Sequence, residues 1–208
     1  MAIARHLVVF ARYPRLGTGK RRLARDVGAV QALRFQRVML NRILLRLAGD
    51  PRWTIWLAMT PGMSSPPKSK IPRARVIGQG GGDLGHRMAR VAEALPPGPV
   101  VIIGSDIPGI QPAYIAKAFQ TLGHHDAVFG PAADGGYWLV GLKRRPRFVD
   151  PFAGVRWSTA HALADTRANL EGKKVAAIDQ LPDVDDGASL RRFVNWGMLH
   201  NRARARLT

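Results

Sequence analysis

Runs of apolar residues alternate with amphipathic stretches along the whole chain. His6 to Ala11 is continuously apolar after its first residue, the pattern of a strand buried on both faces. From Ala29 to Ala48, Leu33, Leu40, Ile43, Leu44 and Leu47 recur near helical spacing, and Gly49 and Pro51 end the run. WTIWLAMT and ARVIGQ predict the next two strands. Leu84, Met88, Val91, Ala92 and Leu95 then form one face of a helix. PVVIIGSD is a fully apolar run with a charged tip. Pro112 suits the first turn of a helix that reaches about Leu122. DAVFGPA and GYWLVGL predict two more strands. Ser158 is placed as the N-cap of the following helix, KVAAID is a last strand, and a final helix starts near Gly187.

This alternation predicts an α/β fold: one domain spanning 1–208, with a mostly parallel central sheet flanked by helices. The Pro- and Ser-rich stretch from Pro61 to Pro72 predicts a loop too short to link a second core. No apolar run is long enough to span a bilayer. The opening LVVFA run reads as a buried strand rather than a signal peptide. There is no cysteine, which removes disulfide and thiolate chemistry and fits a cytoplasmic protein.

Charge changes the picture. Thirty-two Lys and Arg against fourteen Asp and Glu give a net charge of +18, a field that attracts phosphorylated ligands. The basic stretch from Leu190 to Leu207 reads as a solvated helix. No DNA- or RNA-binding signature accompanies the charge, so nucleic acid is not the expected partner.

In open α/β sheets, ligands bind beyond the carboxyl ends of the strands. Glycines, cations and carboxylates gather at those ends here. Gly17 and Gly19 open a loop after the first strand that can aim backbone N–H groups at phosphate, and Lys20 and Arg22 add charge. The loop has neither Walker A nor G-x-G-x-x-G spacing. Asp106, just past VVIIG, is a hard-oxygen donor suited to Mg²⁺ or Mn²⁺. DVDD, Asp183 to Asp186, divides the same way: Asp186 or Gly187 near a helix cap and Asp185 facing the site. Asp134, Gly135, Gly136 and Tyr137 bring a carboxylate, a bare backbone and an aromatic to one turn. Tyr137 or Trp138, on opposite sides of the strand, is expected to stack on a sugar or base. Asp83 is expected to cap its helix, His124 and His125 lie on the surface, and Trp53, Trp56, Trp157 and Trp196 are packing residues.

The blocks VVFARYPRLGTGKRRLARDVG, GDLGHRM, VVIIGSDIPGI, DAVFGPAADGGYWLVGL, FAGVRWSTAHALADTRANL and LPDVDDGASLRRF follow one another in order over nearly the whole chain. Together they resemble the bacterial GT-A-like transferases called radical-SAM/selenodomain-associated transferases. The resemblance implies a nucleotide-diphospho-sugar transferase fold. It matches Lys20 and Arg22 to the family's basic pair, Asp106 to the metal-proximal Asp, Asp134 to Tyr137 to the DGGY block, and Asp185 to the second acidic position. Arg21 stands where the family usually has Thr, and His86 where Glu is common. The reading that follows is a divalent-metal-dependent transferase taking a nucleotide-activated donor, most simply a nucleotide-sugar, to an unidentified small-molecule acceptor. Asp134 is the only candidate for the acceptor-activating base. A nucleotidyltransferase releasing pyrophosphate is the second reading, and a non-catalytic basic binding module the third.

Overall fold

The computed structural model describes residues 3–60, 74–145 and 147–193. The Pro61–Pro72 loop, most of the C-terminal basic stretch and Trp196 lie outside them. Twelve elements run in the order β1 (His6–Arg12), α1 (Arg21–Val27), α2 (Ala29–Ala48), β2 (Thr54–Thr60), β3 (Arg75–Gly78), α3 (Leu84–Ala94), β4 (Val100–Gly104), α4 (Pro112–Thr121), β5 (Ala127–Pro131), β6 (Tyr137–Leu142), α5 (Ala162–Ala168) and β7 (Val175–Ala177). Residues 187–193 are helical as well.

The strands form one seven-stranded sheet in the order β3-β2-β1-β4-β6-β5-β7. β1 pairs in parallel with both β2 and β4. β6 is antiparallel to both of its neighbours. The expected mostly parallel α/β sheet is therefore present, with a single reversed strand inside it. DAVFGPA and GYWLVGL make a hairpin whose second strand, not its first, lies beside β4.

The continuous apolar runs are explained by helices on both faces. Along β1, Leu7, Val9 and Ala11 join the core beneath α2 and α4, where Ile43, Leu47, Ile115 and Phe119 are buried. Val8 points the other way, into a core with Met88 and Val91 of α3. In β4, Val101 and Ile103 face the first core while Val100 and Ile102 face the second. Alternate residues of a strand thus meet different helical layers, so both faces are apolar apart from His6 at the start of β1, which Trp56 partners.

Ser158 does not cap α5. It sits at φ 62°, in the left-handed region, and the N-cap position is His161, without a side-chain cap. Here Thr159 Oγ1 accepts from His161 N–H and donates to Arg156 O, closing a local turn, and the helix starts three residues later than a Ser158 cap would place it. Asp83 does cap α3: its carboxylate accepts from His86 N–H and lies 2.8 Å from His86 Nδ1. The helix at 187–193 opens with a reciprocal cap. Asp186 accepts from Ser189 N–H, and Ser189 Oγ accepts from the N–H groups of Asp185 and Asp186.

Candidate functional site

β1 leads to β2 on one side of the sheet, and the chain returns to place β4 on the other side. The crevice between β1 and β4, at their carboxyl ends, is where strand order reverses. A cleft of about 740 Å³ opens there. The glycine loop forms one wall, with Gly17, Gly19, Lys20 and Arg22 lining the cleft. Gly17 and Gly19 both have positive φ, 77° and 84°. At Gly19 a Cβ would also lie 2.6 Å from Gln36 Nε2. Two bare residues therefore let the chain fold back from β1 and deliver Lys20.

Lys20 is the hub of the site. Its backbone is left-handed (φ 44°) where α1 begins. Its Nζ lies 2.5 Å from Asp106 Oδ2 and also pairs with Asp185 Oδ1. Three residues from separate elements thus meet at one nitrogen. Burial works against the ammonium charge, but the Asp106 and Asp185 carboxylates outweigh it and hold the Lys20 pKa above its ordinary value. The backbone ties the two acidic segments together as well, since Val184 N–H donates to Asp106 O. Asp26 of α1 accepts from Gly187 N–H, fixing the DVDD segment against the basic loop.

Asp183 stands behind this pair. Burial pushes its carboxyl up, and the negative charges of Asp185, Asp106 and Asp134 add to that while Lys20 opposes it. The end of the sheet thus carries more carboxylate than Lys20 alone neutralises. Asp134 is therefore close enough to be felt, although it does not line the cleft. Its Oδ1 turns back to accept from Gly136 N–H.

The Gly135–Gly136 turn is explained by packing rather than by an open backbone. Gly135 has φ 84°, and a Cβ there would lie 2.3 Å from Ala160 O. Gly135 O accepts from Leu163 N–H at the start of α5. The turn is thereby locked to the segment carrying Ser158, which does line the cleft. The expectation that Tyr137 or Trp138 stacks on a ligand is corrected. Tyr137 packs edge-on against Phe129 and Trp157, and burial pushes its phenol pKa far up. Trp138 is 3% exposed and donates from its indole to Asp179 O. The two rings do alternate across the strand: Trp138 is buried on one side, and Tyr137, partly buried on the other, is held edge-on by Phe129 and Trp157.

Arg12, Gln36, Ser105 and Ser158 also line the cleft; the sequence marked none of them as a site residue, and Ser158 only as a cap. Arg12 was findable, because it ends β1 where ligands of such sheets bind. Gln36 and Ser158 reach the cleft only through tertiary packing. Gln79, by contrast, is structural: its amide donates to Ala11 O and Ala58 O and accepts from Arg87. Among the described residues, no cluster of three or more His, Cys, Asp or Glu side chains forms a ready-made metal cage. No described helix is long and apolar enough to cross a membrane.

Comparison with known proteins bears on the fold. No curated protein matches the sequence. A crystal structure from Desulfovibrio desulfuricans G20, described as a "putative nucleotide-diphospho-sugar transferase", is 29% identical with a TM-score of 0.80, over 88% of this chain and 82% of that one. CMP:2-keto-3-deoxy-manno-octonic acid synthetase complexed with CTP shares the fold at 13% identity and TM-score 0.56, over 95% and 99% of the two chains. Rv0371c of Mycobacterium tuberculosis H37Rv, in complex with manganese, shares it at 18% identity and TM-score 0.53, over 92% and 98%. The fold is thus that of the nucleotide-diphospho-sugar transferases, and the CTP-bound synthetase shares it. Residues 43–159, more than half of the sequence, match the family model described as "Uncharacterized protein conserved in bacteria (DUF2064)", and the chain belongs to that family.

Proposed function

We propose that the protein is a divalent-metal-dependent transferase that takes a nucleotide-activated donor, most simply a nucleotide-sugar. The observation that carries this is the meeting of Lys20, Asp106 and Asp185 at the β1/β4 crevice. The resemblance to the Desulfovibrio protein supports it.

The residues present fit a Mg²⁺ or Mn²⁺ ion. Asp106 and Asp185 reach a common point and remain 36% and 45% exposed, so both keep oxygen lone pairs open to the cleft. Mg²⁺ commonly takes one or two protein carboxylates and completes its shell with water and substrate phosphates, so a full protein cage is not required. Such an ion supplies charge neutralisation for the diphosphate leaving group. Lys20 and Arg22 hold the donor phosphates, with Gly17 and Gly19 allowing close backbone approach. Gly135 and Gly136 shape the acceptor side by fixing the Ser158 segment, and Asp134 is the candidate base. Tyr137 supports that turn from the core.

Nucleotidyl transfer is the second reading. A cleft wall with Arg12, Lys20, Arg21 and Arg22 carries enough charge for a triphosphate, and the CTP-bound neighbour supports it. Incubation with nucleotide-sugars or nucleoside triphosphates, with and without Mn²⁺, separates the two. Metal-dependent thermal stabilisation by nucleotide-sugars with nucleoside diphosphate release supports glycosyl transfer. Pyrophosphate release in the presence of a phosphorylated acceptor supports nucleotidyl transfer. Absence of any metal-dependent stabilisation by either ligand class would falsify both.

A further inference from the structure

The Lys20 ammonium occupies the point that Asp106 and Asp185 share. Its side chain is 9% exposed, whereas the two carboxylates are 36% and 45% exposed. The cation is thus on the inner side of its partners. Two of its three N–H donors are directed at carboxylate oxygens, one on each Asp. The left-handed turn at Lys20, with Gly19 before it, sets where the stem leaves the backbone. From there the flexible four-carbon stem can redirect the ammonium without moving the loop. A divalent ion approaching the same carboxylates meets a like charge already seated between them.

We infer that Lys20 is a built-in counter-ion that makes metal binding conditional on the phosphorylated donor. The inference rests on the transferase reading, because it takes Asp106 and Asp185 as the metal ligands. Without donor, the ammonium pairs with both carboxylates, offsets part of their charge and repels the metal. Donor phosphates offer the ammonium a second anionic partner, Lys20 swings to them, and the carboxylates are released to the metal. By linkage, donor and metal then strengthen each other's binding by the same factor. Any metal that bridges protein and diphosphate shows some mutual strengthening. The distinctive signature of Lys20 is in the metal alone: removing its charge must tighten metal binding when no phosphate is present.

The test is a Mn²⁺ titration of the full chain, with free Mn²⁺ read by electron paramagnetic resonance. Wild type, Lys20→Met and Lys20→Gly are compared with and without inorganic pyrophosphate, corrected for Mn²⁺–pyrophosphate complexation in protein-free samples. Lys20→Gly suits the left-handed backbone, so it keeps the turn even if Lys20→Met does not fold. Both variants are expected to bind Mn²⁺ alone roughly tenfold more tightly than wild type, within the usual range of coupling between sites. Pyrophosphate should then strengthen Mn²⁺ binding less in the variants than in wild type. Equal Mn²⁺ affinity of wild type and both variants without pyrophosphate overturns the inference. Asp106→Asn and Asp185→Asn, made in the Lys20→Gly background, separate the two levels. If they weaken Mn²⁺ binding while Lys20 substitutions do nothing, only the counter-ion role fails. If neither weakens it, the metal site fails, and the counter-ion role with it.

Discussion

The two glycines of the DGGY turn are adjacent in sequence but not equivalent in structure, and alanine substitution should separate them sharply. Gly135 has φ 84°, and a Cβ there falls 2.3 Å from the carbonyl oxygen and 2.7 Å from Cα of Ala160. Both are backbone atoms, in a segment held by the Gly135 O to Leu163 N–H bond. Left-handed geometry costs an L-residue about 1–2 kcal/mol, and forcing packed backbone apart costs about 1–3 kcal/mol more. A central value of about 3 kcal/mol lowers Tm by roughly 6–12 °C for a chain of this size. At Gly136 φ is unremarkable, and the nearest obstacle is the Asp134 side chain at 3.1 Å, which can rotate away. Gly136→Ala should therefore shift Tm by no more than about 2 °C. Thermal unfolding followed by far-UV circular dichroism, with both variants in one buffer, decides the matter. A loss for Gly136→Ala as large as that for Gly135→Ala, or a Gly135→Ala protein within about 2 °C of wild type, refutes the packing explanation of the turn.

Three further outcomes follow from other parts of the structure. Arg144 donates to the carbonyls of Gly98 and Leu95 at 2.7 and 3.2 Å and also to those of Ala92 and Pro96, closing the end of α3; Arg144→Ala should cost about 2–3 kcal/mol in urea unfolding, and a loss below about 0.5 kcal/mol would mean water replaces it freely. Burial and the charges of Arg144 and Arg75 hold the buried His6 below its ordinary 6.5. The unfolded chain therefore gains that proton first as pH falls, so wild-type stability should drop below about pH 6.5, and His6→Asn, which keeps an acceptor for Trp56, should flatten that slope. Asp183 has the opposite sign: its carboxyl is raised by burial and neighbouring Asp charges, so the folded state binds its proton more readily than the unfolded chain, and stability is lost as pH rises through the carboxylate range. Asp183→Asn should accordingly raise Tm at pH 7 and lose that advantage in acid; an unchanged Tm at pH 7 would show that the carboxylate cluster is fully neutralised.

Much of the layered fold was legible because its signals are local. Val100 to Gly104 is apolar at every position, which only a strand covered on both faces explains. Ala29 to Ala48 matches the observed α2 in both ends because Gly28 and Gly49 flank it. The short helix α1 went unseen, since its seven residues bury only Leu23 and offer no periodic face. Ser158 was misplaced as a cap because Ser is a good capping residue wherever it precedes a helix, and nothing in sequence reveals a φ of 62°. The aromatic pair failed for a similar reason: alternation showed that Tyr137 and Trp138 point to opposite sides, but not that Trp138 is buried and Tyr137 is packed edge-on by Phe129 and Trp157.

The sequence by itself determined the alternating elements, the burial of β1 and β4 on both faces, and the collection of glycines, cations and carboxylates at strand ends. Periodicity and turn chemistry act over a few residues, so a linear reading captures them. Only the tertiary structure decided that β6 inserts antiparallel between β4 and β5, and that Lys20 meets Asp106 and Asp185 at a single point. It likewise decided that Gln36 and Ser158 border the same cleft. Those contacts join residues far apart in the chain. Their energy comes from sheet register and from opposite charges brought together in one crevice, and neither exists until the chain has closed on itself.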